Sequence, residues 1–413
     1  MTKLIRLGLV LGSALVAIGC TAEAPKCTPQ NCANGCCSAA GVCETAGRVD
    51  ACGLNGEACK TMCTVCMSGL CIMPNTSADS GMLDAGPLDA GVDCATVGDA
   101  VLGTLEIING QIRVQASSAL PAGVVAVTTH QGGLYGLTEG KAIHNLGSFP
   151  SLTLGARVAS VVPAGIDAGS GFFLGGYLAS SGGKLLAGFT QSGAGFPGKV
   201  AVVTVADAGV EFVNAPGNYT AAGIESANAF IINGAGLGSA TGNAVYALRT
   251  EPTQTAQLAT FDTSLGASGS GLTAITSTGV VLVGYGKSDF TNAVHAVPPS
   301  TYLAPVLAGT SVNLTTSSAP LVAEGDVADM SSLGGDAMVV RGGFDSDFNP
   351  YTSKVQRVGL TLSGSGVAVG TPVDVLRENG SRCTRVLFVS GGSTSMLVGL
   401  QDGKGRRLVQ FIP

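Results

Sequence analysis

One pattern recurs through residues 122–412 and restricts the fold more than any other feature of the chain. A short apolar strand leads into a turn. An apolar strand ending at Gly follows, then a polar loop and a further strand. The second strand and its loop read "GGLYGLTEGKAIHNL" from Gly132, "GFFLGGYLASSGGKLLAGF" from Gly171 and "AFIINGAGLGSATGNAVYALR" from Ala229. They continue as "GVVLVGYGKSDFTNAVHAV" from Gly279, "AMVVRGGFDSDFNPYTSKVQRV" from Ala337 and "SMLVGLQDGKGRRLVQFI" from Ser395. The later copies lie 50–60 residues apart, and the first gap is shorter. Repetition at such a period, with several short strands per unit, is the sequence form of a β-propeller. Gly after an apolar strand lets the chain turn with φ > 0. Six copies predict an all-β, six-bladed propeller-like domain over residues 94–413. A pair of β-sandwiches is the alternative architecture.

The last copy runs out early. After "RVLFV", "SMLVGL" and "RLVQFI" the chain stops without a fourth strand. At the other end, "LEIINGQIRV", residues 105–114, supplies spare strands, and Asn109-Gly110 is a strong hairpin signal. An N-terminal strand completing the last blade would close the ring. Cys94 and Cys383 stand alone in this domain, one at each end that the closure joins, and are expected to form a disulfide there.

The other cysteines are crowded. Residues 27–71 hold Cys27, Cys32, Cys36, Cys37, Cys43, Cys52, Cys59, Cys63, Cys66 and Cys71. Apolar content here is mostly Ala and Cys, too little for a core, so disulfides must hold the module. Cys59, Cys63, Cys66 and Cys71 are expected to pair among themselves. Cys63–Cys66 is also a zinc-type C-x2-C, but with Cys20 set aside the twelve remaining cysteines are even in number, which in an exported chain reads as disulfides. The adjacent Cys36-Cys37, flanked by two cysteines on each side, resembles knottin frameworks. "CCSAAGVC" resembles the centre of hevein-type chitin-binding modules, which place sugar-stacking rings where Ala40 and Val42 stand. The chain has no Trp, so that reading loses its stacking faces. Residues 72–93, "IMPNTSADSGMLDAGPLDAGVD", form a linker too poor in bulky apolar side chains to order itself.

Lys3 and Arg6 precede an uncharged run from Leu7 to Ile18. A spanning helix needs about 20 apolar residues, so this run reads as a secretory signal. Ala17, Gly19 and Cys20 resemble the lipobox of bacterial lipoproteins, in which the cysteine is acylated and the chain cut before it. The family pattern prefers Leu where Ala17 stands. The resemblance implies a signal peptide over 1–19, a palmitate-bearing tether over 20–26 and, with Thr21 rather than Asp after the cysteine, an outer-membrane or cell-surface address. More than one acyl chain makes such attachment stable. An ordinary export signal with Cys20 incidental is the alternative. The layout of lipobox, "GCC…G.C" module, Asp-Ala-Gly linker and variable β domain resembles bacterial surface lipoproteins over the first quarter of the chain. It implies location rather than activity.

Charged residues are 12% of the chain, against about 25% in ordinary soluble proteins. Loss of Lys3 and Arg6 with the signal takes the net charge from −6 to −8. Such a chain has no electrostatic footprint for nucleic acid. His130, His144 and His295 form no H-E-x-x-H, and no serine sits in G-x-S-x-G. Ser181–Lys184 matches S-x-x-K, but between strands. Gly286-Lys287-Ser288 ends like a phosphate loop whose first glycine is replaced by Val281. Asp345, Asp347 and Asn349 form D-x-D-x-N, which can wrap calcium with the Tyr351 carbonyl. Pro350 replaces the usual Gly, Ser353 and Gln356 stand where acids would help, and a plain turn uses the same residues. No catalytic residue is assigned, and calcium is the one cofactor considered. The expected function is a lipid-anchored, non-catalytic binding module whose propeller loops meet a protein or glycan partner. The alternative is a propeller-type polysaccharide lyase or glycosidase. A channel lined by two or more acids would favour the enzyme; Gly, Ala and Val would favour the binder.

Overall fold

A computed structural model describes residues 27–45, 58–59, 65–67, 70–72 and 104–413, with breaks at 29, 33–34, 163–171, 193–198, 215–219, 235–243, 262–266, 288–290, 316–317, 345–349, 380–383 and 403. The chain divides into two compact units, Met1–Gly91 and Val92–Pro413.

In the first unit, strands Gly35–Cys37 and Cys43–Thr45 form a hairpin. Disulfides join Cys27 to Cys37, Cys32 to Cys43 and Cys36 to Cys59. Cys32 and Cys36 are buried, so the sulfur bridges themselves serve as the core. Cys59 therefore pairs with Cys36, not with Cys63, Cys66 or Cys71. The reason is local: the Cys59 amide donates to the Cys37 carbonyl at 2.9 Å, and Ala58 bridges Cys37 in parallel, which lays this segment beside the hairpin. A second hairpin, Val65–Met67 with Leu70–Ile72, sets Cys66 opposite Cys71 in register. Cys20, Cys52, Cys63, Cys94 and Cys383 lie outside the described residues.

The second unit is a propeller of six antiparallel blades. Their inner strands are Val124–His130, Phe172–Ser181, Thr220–Ile224, Ala267–Ile275, Val327–Leu333 and Arg385–Ser390. The second strands begin at Gly133, Lys184, Ala229, Val281, Asp336 and Met396, at nearly even intervals. The short first gap in the sequence pattern disappears here. The copy at Gly171 begins on the inner strand of blade two, whereas the other copies mark second strands. Its two neighbouring strands are both apolar and Gly-bearing, so pattern alone did not separate them.

Middle strands face a neighbouring blade on both sides. Val281–Lys287 is buried at every position but the last, and Met396–Asp402 at all but one. Continuous apolar runs follow from that double burial. The outermost strand of blade two, Gly209–Asn214, has no buried residue. The described apolar residues gather into six clusters, one at each boundary between adjacent blades.

The ring is closed by the N-terminal segment. Arg113–Ala119 pairs antiparallel with Gly405–Ile412 and supplies the missing fourth strand of blade six. Thr104–Ile107 instead becomes a fifth strand of blade five, paired with Val373–Asn379. Asn109 and Gly110 both have positive φ, 60° and 65°, as the sequence signal requires. They do not close a hairpin within one sheet; they carry the chain from one blade to the next, and the Asn109 amide donates to the Asp374 carbonyl at 2.6 Å. At the boundary between blades six and one, Arg406 donates to the Val124 carbonyl at 2.9 Å, and Leu120, Val124 and Val127 pack with Phe388, Leu397 and Leu408.

Two excursions leave the blades between third and fourth strands. In blade four, residues 298–320 carry a helix, Pro299–Ala308, and a strand, Val312–Leu314, that pairs in parallel with Thr253–Phe261 of blade three. In blade five, the hairpin Leu360–Ser363 with Gly366–Val369 leans on blade four.

Leu408 is fully buried at the closing boundary. Leu408→Ala is expected to cost about 3 kcal/mol and to lower the melting temperature by several degrees. Val114→Ala, on the exposed side of the closing strand, should shift it by less than about one degree. Calorimetry of both variants checks the ranking.

Candidate functional site

The axis of the ring is built from small residues. Each inner strand touches the next around the full circle. A Cβ on Gly223 would lie 1.9 Å from the Ser180 carbonyl oxygen, so blades two and three meet there backbone to backbone. Five of the six inner strands slip register against their second strand near their start: between Val124 and Ala126, Phe173 and Gly175, Ser268 and Gly271, Val327 and Asp329, and Val386 and Phe388. Such bulges bend a strand and redirect the side chain that follows. In blade five that side chain is Asp329.

Asp329 is the one carboxylate carried by the six inner strands. It accepts the Met330 amide at 2.8 Å and the amide of Val389 across the boundary with blade six. It retains partial contact with solvent although protein surrounds it. Burial pushes its carboxyl up to about 7, against the two amide bonds that pull the other way. Among the described residues no basic partner offsets the burial. The rest of the inner-strand complement is mostly Gly, Ala, Val, Ser, Thr, Leu and Phe.

His130 ends the inner strand of blade one, and its Nδ1 lies 2.9 Å from Ser180 Oγ of blade two. Tyr135 meets the ring edge-on at 5.8 Å. Nε2 is buried with no hydrogen-bond partner among the described residues. Burial lowers the imidazole's pKa, opposed by the charge of Glu225. Fifty residues separate the histidine from the serine, so no local motif announces the pair. A hydrolytic dyad needs its base oriented by a third group. Glu225 instead accepts the Gly182 amide at 3.1 Å. The His130–Ser180 contact joins blades one and two.

Asp345, Asp347 and Asn349 lie outside the described residues; the strands on either side pair up to Phe344 opposite Pro350. Ser181–Lys184 forms the turn between the first two strands of blade two, with Ser181 buried and Lys184 Nζ donating to the Thr250 carbonyl at 3.0 Å. Lys287 forms an ion pair with Glu324. His144 Nδ1 lies 3.1 Å from the Gly155 carbonyl. The sulfurs of Cys27, Cys32 and Cys37 lie within 4.8 Å of one another, but all three are in disulfides and offer no thiolate to a metal. Val42 is 53% exposed, with no ring at the hevein-like position. Among the described residues, no helix is long and apolar enough to cross a membrane.

No protein-family description and no curated protein matches the chain. Among solved structures it is similar to the holo form of the pyranose dehydrogenase PQQ domain from Coprinopsis cinerea, at 12% identity and a TM-score of 0.45, over 75% of this chain and 97% of that one. It is also similar to the β-propeller domain of Cps50 (Swd1) from Myceliophteria thermophila, at 11% identity and a TM-score of 0.38, over 71% and 98%. The propeller assignment rests on the six sheets themselves.

The raised carboxyl of Asp329 has a consequence for stability. The folded state holds this proton more tightly than the unfolded chain, so stability falls as pH rises from about 4 to about 7. Asp329→Asn keeps an oxygen acceptor and removes the charge. It should raise the melting temperature by about a few degrees at pH 8 and leave it nearly unchanged near pH 4. Thermal scans across that range check both parts.

Proposed function

We propose that the chain is a lipid-anchored envelope protein whose propeller binds a protein or glycan partner through its loops and catalyses no reaction. The inner strands carry the reading. Glycoside hydrolysis uses two carboxyl groups across the scissile bond, about 5–10 Å apart, and the inner strands bring one, Asp329, already committed to two backbone amides. Between the described strands the sequence reads "PAGIDAGSG", "GAGFPG" and "AGLGSATGN". Their many small residues suit adaptable contact. Calcium held by Asp345, Asp347 and Asn349 belongs to the same reading, since a bound cation can order a loop for binding.

The anchor rests on Cys20 after the short apolar run. Cys20→Ser should abolish palmitate labelling and detergent partitioning; a variant that still labels refutes the anchor. For binding, the soluble chain starting after Cys20 should retain a discrete component from solubilised envelopes. Replacing residues 235–243 by a Gly-Ser segment of equal length tests the role of this sequence and should weaken that retention. Release of reducing or unsaturated sugar from envelope polysaccharide would establish the lyase or glycosidase instead. Calorimetric titration with calcium should give heat that Asp347→Ala loses, and no heat in either protein leaves a plain turn.

A further inference from the structure

A row of polar side chains ends the apolar face that blade six turns toward blade one. Arg385 on the first strand stands opposite Gln401 on the second, and Gln401 stands opposite Arg406 on the third. Partners in register share one face of a sheet. Leu408, two residues on from Arg406, lies on that face and packs in the cluster with blade one. Arg385 donates to Gln401 Oε1 through Nε at 3.1 Å and through Nη2 at 2.8 Å. Arg406 donates through Nη2 to the Val124 carbonyl at 2.9 Å. Arginine only donates, so Arg385 fixes the Gln401 amide with its oxygen engaged and leaves its nitrogen to donate elsewhere. Among the described residues the three side chains make no other hydrogen bond. What the row still offers is donors alone.

Neither arginine has an acidic partner among the described residues. Asp402 follows Gln401 but points to the opposite face, where Arg407 donates to it at 2.5 Å. Lys404, exposed in the same turn, adds a further positive charge. In a chain of net charge −6 this is a local reversal of sign. Both guanidiniums are half-buried, and Arg406 Nε is enclosed with no acceptor. The Nη1 groups of both arginines have no protein acceptor among the described residues, yet they are not sealed from water. Burial lowers the Arg385 pKa, and the charge of Arg406 lowers it further, so the two cations feel each other. Like charges held side by side, with donors only and no counter-charge, are complementary to an oxyanion. A dianion balances two guanidiniums; a single carboxylate leaves one charge over.

We propose that Arg385, Gln401 and Arg406 form a binding site for a tetrahedral dianion, a sulfate or phosphate group, at the boundary between blades six and one. The site deepens the binding role proposed above, on which the source of the group rests, and it is open to test with ions alone. Calorimetric titration of the full chain with sodium sulfate, in dilute buffer so that salt does not screen the charges, should show binding at one site. Acetate should bind more weakly. Arg385→Gln and Arg406→Gln should each weaken sulfate binding by about tenfold or more. Arg113→Gln removes the same charge at an exposed position of the closing strand and should leave it unchanged. Gln401→Glu keeps the size of the side chain and places a carboxylate between the guanidiniums. It should raise the melting temperature and abolish sulfate binding, and it stays informative if the arginine variants fold poorly. Dextran sulfate, with neutral dextran as blank, separates the sources: tighter binding per sulfate group assigns a group borne by a larger ligand, and equal binding assigns the free ion. Sulfate binding without retention of an envelope component would keep the site and remove the partner. No sulfate heat in the native chain, acetate as tight as sulfate, an equal loss in Arg113→Gln, or sulfate binding that survives Gln401→Glu overturns the site.

Discussion

Apolar contact between neighbouring blades, closed into a circle, is what the rest of this propeller depends on. No single core lies at the centre. Each of the six boundaries has its own cluster, and each blade gives one face to the blade before it and one to the blade after. Such a ring is only as strong as its weakest boundary, because opening one frees both flanking sheets to splay. The additions to the plain four-stranded blade all bear on this. The excursion of blade four buries Tyr302, Val306, Leu314 and Ala319 in the cluster between blades three and four. The hairpin of blade five adds Leu360 to the next. The N-terminal segment adds Leu105 and Ile112 to the cluster between blades five and six. Each is an excursion that covers an apolar boundary.

Double burial also explains the composition. A sheet flanked on both faces has little room for long charged side chains, so these concentrate on outer strands and rims. Blade five illustrates it: Arg357 pairs with Asp336 at 2.6 Å and Arg377 with Asp374 at 2.9 Å, all partly open to solvent. Exposed pairs of this kind contribute about 0–1 kcal/mol each. The axis shows the same economy in another form. Glycine and serine bring backbones together, and a single carboxylate is tied down by amides of two blades.

The propeller and its closing strand were legible because a strand repeat survives any reordering of detail. Blade two was misaligned because "GFFLGGYL" and "KLLAGF" are equally apolar, and only pairing tells which lies inside. The helix Pro299–Ala308 was hidden by Pro305, which argues against a helix interior. Pro299 at the first turn and Gly309 in the left-handed conformation after the last were the signals for it. Asn109-Gly110 and Asn233-Gly234 share the same letters. The first is an exposed turn. In the second, Asn233 is buried and its amide donates to the carbonyls of Leu272 and Gly284, a contact between blades that no local pattern encodes. The environments of Asp329 and Arg406 were equally invisible, since both are set by residues distant in the chain.

The closing strand also orders events during folding. Arg113–Ala119 is among the first propeller segments to be made, yet its partner, Gly405–Ile412, is the last. Nearly the whole domain must be synthesised before that pairing can form, and contacts so distant in sequence are slow to find because the intervening loop must first be drawn in. Until then blade six lacks its outer strand, and the final boundary stays open to water. Closure of the ring is therefore a late step.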